Sequence, residues 1–400
     1  MNILVGIGLS DKKDPYAAAS EAANFALHQI HHKEITLALL FSTIHFADKR
    51  LLEGVYYALG RVPLLGCTGA SLVSSKGISR YGVGLMLISA PGRIRLGAAA
   101  SHNISAGNLR EAGASFAQSA LHNLGSPQRD LALIFPDGLT ENSSELLRGI
   151  KDVVGLSFPI FGGSSADNLR FHRTFQYFNG QLLSNSLVGA IFSGENLFGI
   201  GLRHGWKPLG RPHQITEAKG NIIHKIEGKP AVRIYEEYFG KTREQIARDL
   251  IRISIYYPLG INVPGEAEYL LRNALRIDAD GGLVCQGDAA QGQDVRLMMG
   301  KKEWTLEAAS QAAEEAKNAL GGKAIRGALV FESISRHKLL GRLTDRELLR
   351  IKEVLGDVPL LGIATFGEQA PLKSLEHYGE TYFHNETVAI LAIGEPHESR

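Results

Sequence analysis

The 400-residue sequence predicts an α/β protein made of internally repeated β-α-β-α-β-β units, forming mixed sheets covered by helices in two domains. Three observations predict it. One phrase occurs three times, as Val62-Pro63-Leu64-Leu65-Gly66, Phe158-Pro159-Ile160-Phe161-Gly162 and Val358-Pro359-Leu360-Leu361-Gly362. Upstream of each copy a short apolar run ends in Phe, at residues 37–41, 131–135 and 328–331, as expected of a strand covered on both faces. Between run and phrase lies an amphipathic helical pattern, at 49–59, 143–154 and 345–355, closed by Gly60, Gly155 and Gly356.

The remaining elements follow in order. An Ala-rich helix precedes each apolar run, at 16–30, 108–124 and 306–320, and a short strand precedes each of those, at 5–9, 94–97 and 295–298. Returning strands are expected at 82–88, 187–192 and 388–392. Thr344 and Glu347 have the spacing of a capping box at the start of the third amphipathic helix. Pro258-Leu259-Gly260 reads as a degenerate fourth copy of the phrase. Residues 205–240 are rich in Pro and Gly, so the boundary is placed near Glu227. An N-terminal domain, 1–226, then holds repeats at about 1–92 and 93–204, and a C-terminal domain, 227–400, holds a clear repeat at about 293–400.

Charge and composition exclude several classes. Lys and Arg number 43 against 41 Asp and Glu, with no run of five like charges, so nucleic acid is not an expected partner. No stretch of about 18 apolar residues exists to span a membrane, and the first residues lack a basic region and read as a strand, not a signal peptide. Two cysteines, Cys67 and Cys285, without ligand spacing fit a reducing, cytoplasmic setting and exclude a Cys-rich zinc site.

Most catalytic motifs fail on a specific residue. Gly6-Ile7-Gly8 starts a dinucleotide fingerprint, but Asp11 stands at its third glycine. Gly240-Lys241-Thr242 ends like a phosphate-binding loop, yet Tyr235 replaces the required glycine. Gly162-Gly163-Ser164-Ser165-Ala166 approaches a nucleophile elbow without an assignable His or Asp. Cys67 and Ser164 remain the only nucleophile candidates, no catalytic motif is complete, and an enzyme is not the expected reading.

What survives is the Gly-rich polar loop after each copy of the phrase, because ligands in open α/β sheets bind at the carboxyl ends of strands. The loops supply Gly66, Cys67 and Thr68, then Gly162, Gly163, Ser164, Asp167 and Asn168, then Thr365, Gly367 and Glu368 as expected ligand-binding residues. Arg203, His204 and Trp206 form a candidate wall, with Arg for a carboxylate and Trp for an apolar or cationic portion.

Several segments resemble the FIST family. Residues 162–168, Phe198-Gly199-Ile200-Gly201-Leu202-Arg203-His204-Gly205-Trp206 and Gly228-Lys229-Pro230-Ala231 with Tyr235 look like its N-terminal domain. Gly341-Arg342, Pro359-Leu360-Leu361-Gly362, Phe366-Gly367-Glu368 and His384-Asn385-x-Thr387 look like its C-terminal domain, which adds Asn385 to the expected site. The resemblance implies an intracellular signal-input module that binds a small polar, amino-acid-like metabolite. It also implies a separate signalling partner such as a histidine kinase or cyclic-dinucleotide enzyme. Its alternative implication is a haem-binding nitric oxide sensor, for which His204 or His384 would be the iron ligand; otherwise no cofactor is expected. Two positions depart from the family pattern: Ala70-Ser71-Leu72 fall where Gly-Glu is usual, and Ser333 replaces the cysteine of a Cys-x-x-Arg ending at Arg336.

Overall fold

The computed structural model describes residues 2–140, 142–194, 197–266, 268–373 and 378–395. Each of three units starts with an entry strand, Leu4–Ser10, Arg95–Ser101 or Phe198–Arg203, under an Ala-rich helix, Pro15–Gln29, Leu109–Leu124 or Lys302–Ala319. Glycine makes that contact. A Cβ on Gly8, Gly97 or Gly201 would stand 1.8, 2.0 or 1.9 Å from the carbonyl oxygen of Ala22, Ala120 or Ala312. Gly6-Ile7-Gly8 is therefore a helix seat, not a phosphate loop.

A central strand follows in each unit (Leu37–Thr43, Leu131–Pro136, Ala324–Ser333), then a second helix (Lys49–Leu59, Ser143–Val154, Thr344–Leu355). The inner strands Leu64–Gly69, Ile160–Gly163 and Leu360–Thr365 run parallel to the central ones, as a helical crossover allows. Return strands Val83–Ser89, Leu187–Ser193 and Val388–Glu395 pair antiparallel with both the central and the entry strands. The repeated phrase thus marks the inner strand, and its glycine lies where a Cβ on Gly66, Gly162 or Gly362 would come within 1.8, 2.4 or 1.6 Å of a central-strand carbonyl oxygen.

The units are locked together by exchange. Each sends a hairpin, its arm, to the inner strand of another unit: Leu72–Ser74 pairs with Leu360–Thr365, Gln176–Phe178 with Leu64–Gly69, and Glu368–Lys373 with Ile160–Gly163. Three six-stranded sheets result, and no inner strand is left as an open edge. Their inner faces meet around an approximate threefold axis. There Phe41, Phe135 and Phe331, fully buried, form a triangle of edge-to-face rings with centroids 5.5, 5.9 and 5.8 Å apart.

The third unit differs from its expected outline. Residues 295–298 do not enter it; they lie in Asp294–Gly300, which pairs with the long strand Trp206–Lys219 in a separate sheet. The entry strand is Phe198–Arg203, paired with Val388–Glu395, so residues 206–300 are an insertion between this strand and its helix. Pro258-Leu259-Gly260 is no fourth repeat either, because Leu259–Ile261 pairs antiparallel with strands of the insertion sheet. The physical signal is the Gly199-x-Gly201 helix seat, which 295–298 lacks. Gly240 and Thr242 close one insertion helix and cap the next. The expected capping box at Thr344 is absent: Glu347 turns inward, fully buried, to Arg336.

Candidate functional site

The three Gly-rich loops converge at one end of the axis, at the carboxyl ends of the parallel strand pairs. Their backbones form a ring. The N–H of Ala166 donates to Thr68 O at 2.8 Å, that of Phe366 to Ser164 O at 3.3 Å, and that of Ala70 to Ala364 O at 2.9 Å. The N–H of Ser164 and Ser165 are also taken, by Gly367 O and Pro136 O. These loop amides are thus occupied by backbone carbonyls.

The strand registers define equivalent positions there. Opposite Ile363, Cys67 and Gly163 stand Leu72, Gln176 and Glu368, respectively. In unit 2 the buried polar groups bond mostly to one another, although Gln176 Oε1 and the neighbouring Gln369 Oε1 have no partner. Thr174 Oγ1 donates to Asp137 Oδ2 at 3.0 Å, and Gln176 Nε2 donates to Ser165 Oγ at 2.7 Å. Next to them Gln369 Nε2 donates to Ser164 Oγ at 2.8 Å, and the Phe175 N–H to Thr68 Oγ1 at 3.1 Å.

Unit 3 is acidic and does not close. Glu332, Glu347, Glu368 and Glu386 are fully buried around Arg336, which is also fully buried. Arg336 donates to Glu347 Oε1 at 2.7 Å, to the carbonyls of His204 at 2.6 Å and Glu386 at 3.1 Å, and to Thr305 O at 2.8 Å. Glu332 Oε2 meets His337 Nε2 at 2.5 Å, whose Nδ1 lies 3.4 Å from Ser71 Oγ. Glu368 accepts from Thr387 Oγ1 at 2.5 Å and from Thr365 Oγ1. Yet Glu332 Oε1 and Glu347 Oε2 have no hydrogen-bond partner, and the carboxyl of Glu386 has Asn273 and Ser335 beside it but no hydrogen bond of good geometry. Burial holds the carboxyls of Glu368 and Glu386 up at about 8, and that of Glu347 at about 7 against the pull of Arg336.

The other expected residues fall in three places. Asp167 accepts the N–H groups of Arg170, Phe171 and His172, shaping a lid loop whose Phe171 stacks on Phe366 at 4.8 Å; Asn168 is exposed on that lid and points to no site. Gly367 lies under the Phe383 ring, and Asn385 Oδ1 accepts from the N–H of Asn273 at 3.3 Å, tying the insertion to the chamber. Arg203 pairs with Glu268 and Glu315, and Trp206 packs on Leu271, Met298 and Leu339, so this wall joins the insertion to Arg336 instead of facing the loops.

The histidines and nucleophile candidates are engaged. His204 Nδ1 accepts from the Trp206 N–H at 2.9 Å while its Nε2 lies 2.6 Å from Glu268. His384 donates Nε2–H to Ala370 O at 2.9 Å, and burial pushes it down to about 3. Both are buried with polar protein groups against the ring, and the residues present do not fit a haem, which needs an open apolar face beside its iron ligand. Cys67 is fully buried, and burial holds its thiol well above the ordinary range, away from thiolate chemistry. Among the described residues no group of His, Cys, Asp and Glu could hold a metal ion.

Arg336, Glu332, Glu347, Glu386 and Asp137 were not singled out from sequence as site residues. Two were within reach of it. Arg336 ends the Ser333-Ile334-Ser335-Arg336 segment, and Glu386 is the unnamed position between Asn385 and Thr387.

Fold and site together define a pseudo-threefold α/β module with a cluster of buried polar groups at the carboxyl ends of its parallel strands. The FIST N domain model matches residues 36–229 and the FIST C domain model residues 231–371. The chain belongs to the FIST family, whose domains are sensory and signal-transduction domains. An uncharacterized protein of Mycobacterium tuberculosis is 26% identical over 385 residues, covering 92% of this chain and 95% of that one. Another, from Methanocaldococcus jannaschii, is 28% identical over 181 residues, 42% of this chain and 34% of the other. Among solved structures, a cyanuric acid hydrolase from A. caulinodans aligns with a TM-score of 0.38 at 11% identity over 98% of this chain and 100% of that one. A chorismatase aligns at 0.36 and 8% identity over 99% and 100%. No helix among the described residues is long and apolar enough to cross a membrane.

Proposed function

We propose that this chain is a signal-input module whose axial chamber takes a small, amine-bearing polar metabolite of the amino-acid type. The carrying observation is Glu386: fully buried among acids, with only Asn273 and Ser335 beside its carboxyl and no hydrogen bond of good geometry to either oxygen. A buried polar atom without a partner costs about 1–3 kcal/mol, more for a charged one, so such a group is retained where something else satisfies it. In unit 3 the carboxyl oxygens without a well-formed hydrogen bond belong to Glu332, Glu347 and Glu386, and Glu386, neutral when the site is empty, would give up its proton on meeting a cation. A complementary ligand is rich in donors, as an ammonium group is. Arg336 is saturated and serves to fix Glu347 and the Glu386 backbone. Entry requires lifting the lid at the Phe171–Phe366 stack, and a lid that reseals over ligand gives the bound state a different surface for a separate signalling protein.

Thermal unfolding with a panel of amino acids and small amines at pH 7.5 tests this reading. An amine at 100 times its dissociation constant adds about 2.7 kcal/mol, and Glu386→Gln removes the gain. An N-acetylated form of the same compound is expected to give no shift. Equal shifts from free and acetylated amines, or none from any amine, would sink the proposal.

A further inference from the structure

The approximate threefold axis leaves three equivalent grooves, each between the second helix of a unit and the arm that joins its sheet, and their contents differ. In unit 3 the groove is sealed. Lys352 Nζ donates to Ser75 O at 3.2 Å across it, and Ser75 Oγ donates to Val358 O at 3.2 Å. In unit 2 the insertion occupies it. Helix residues Ser144, Leu147, Arg148 and Lys151 face Tyr382 and Phe383 of the arm, and the insertion sets Asp288 against Arg148 and its N–H on Ser144 Oγ at 3.4 Å, leaving 280 Å³.

Unit 1 has the same groove without a filler. Counted back from the closing glycines 60 and 155, the helix positions that line it, Lys49, Leu52, Glu53 and Tyr56, match the four in unit 2. Gln181 and Leu182 of the arm match Tyr382 and Phe383 by their registers. Its cavity measures 1080 Å³, above the range of a small-metabolite site. Two strand edges border it. Gln181–Leu183 ends the first sheet, and Leu96 and Ala98 belong to Arg95–Ser101, which ends the second.

We infer that the open groove of unit 1 docks an extended polypeptide segment of a separate protein, one that presents a carboxylate to Lys49 and Arg61 beside apolar side chains for Leu52, Tyr56 and Leu96. Three features carry it. The protein's own chain fills the equivalent groove of unit 2, which shows that this geometry accepts polypeptide. There the contact is a carboxylate of the added segment, Asp288, on a helix cation, Arg148; in unit 1 the acid Glu53 stands at the position of Arg148, and the cations, Lys49 and Arg61, both exposed, stand elsewhere on the rim. Two unpaired strand edges offer backbone donors and acceptors to an extended segment, while apolar side chains between them supply its pockets.

A random peptide library displayed on phage, panned on the full chain, tests the inference independently of the axial chamber. Enriched peptides are expected to carry an acidic residue flanked by apolar ones. Synthetic versions should bind about tenfold or more weakly to a Lys49→Glu/Arg61→Glu variant, whose reversed rim repels them, and should lose binding to Leu96→Arg on the opposite wall. Arg148→Glu, in the filled groove, should leave their affinity unchanged. Because Lys49 and Arg61 are exposed, the charge-reversed variant keeps the wild-type circular dichroism spectrum and any ligand-induced thermal shift of the chamber. An absence of enrichment, or peptides indifferent to both wall variants, would overturn the inference.

Discussion

Where the arm crosses the inner strand, unit 1 has Leu72, unit 2 has Gln176 and unit 3 has Glu368, on backbones that are otherwise alike. The residue two beyond the central-strand Phe is Thr43, Asp137 or Ser333, and the residue two before the return strand is Tyr81, Asn185 or Glu386. Unit 2 spends its acid on its own donors, since Asp137 accepts from Thr174 and from the Asn185 N–H at 3.0 Å each. Unit 3 leaves acceptors without donors. The comparison teaches that the glycines and phenylalanines shared by all three units make the fold, and that the unshared residues at the same positions make the site.

The shared part breaks hardest. Phe331→Ala is expected to cost about 3–5 kcal/mol in urea unfolding, because it removes one side of the axial triangle, and Phe41→Ala or Phe135→Ala should cost similar amounts. A unit whose Phe can be truncated at a cost near 1 kcal/mol would not share the hub. The unshared part is next. Arg336→Met strands Glu347 and three backbone carbonyls in the interior, for an expected loss of about 3 kcal/mol that Glu347→Met partly restores in the double variant. Strict additivity of the two losses would show that the pair is not coupled.

Legibility followed the same division. The apolar runs, the two helices per unit and the repeated phrase could be read because their spacing is local and occurs three times. Arm exchange could not, since nothing in Leu72–Ser74 or Gln176–Phe178 says which unit's inner strand each will pair with. The glycine-loop pattern pointed to Thr365 and Glu368 and the family resemblance added Asn385, but the buried acids and Arg336 come together only through the tertiary fold. The entry strand of unit 3 was misplaced because the insertion separates Phe198–Arg203 from its helix, and 295–298 offers an apolar strand in the expected place. Gly201→Ala tests the corrected assignment. Its Cβ would meet Ala312 O at 1.9 Å, so the helix must move, and a loss of about 1–3 kcal/mol is expected, whereas Gly292→Ala, with nothing near it, costs only the strain of its left-handed backbone.

The finest distinction between units 2 and 3 is electrostatic and appears as pH dependence. Glu386 and Glu368 keep their protons to about 8 in the folded chain and Glu347 to about 7, while the unfolded chain releases them near the ordinary 4.5. Their contribution to stability is therefore full below about 4.5 and is lost as pH rises toward 8. His384 opposes this on the acid side: held neutral down to about 3, it costs stability as pH falls below its ordinary 6.5. Between pH 6.5 and 7 the acids act alone, and each retained proton contributes a slope of about −1.4 kcal/mol per pH unit. Glu386→Gln removes one such proton without changing the shape of the side chain. Urea unfolding of this variant at pH 6.5, 7 and 8 should show a slope shallower by about that amount, with the variant gaining on the wild type as pH rises. A Glu386→Gln slope equal to that of the wild type would mean that Glu386 ionises freely, and the acidic chamber would lose the property that separates it from its closed counterpart.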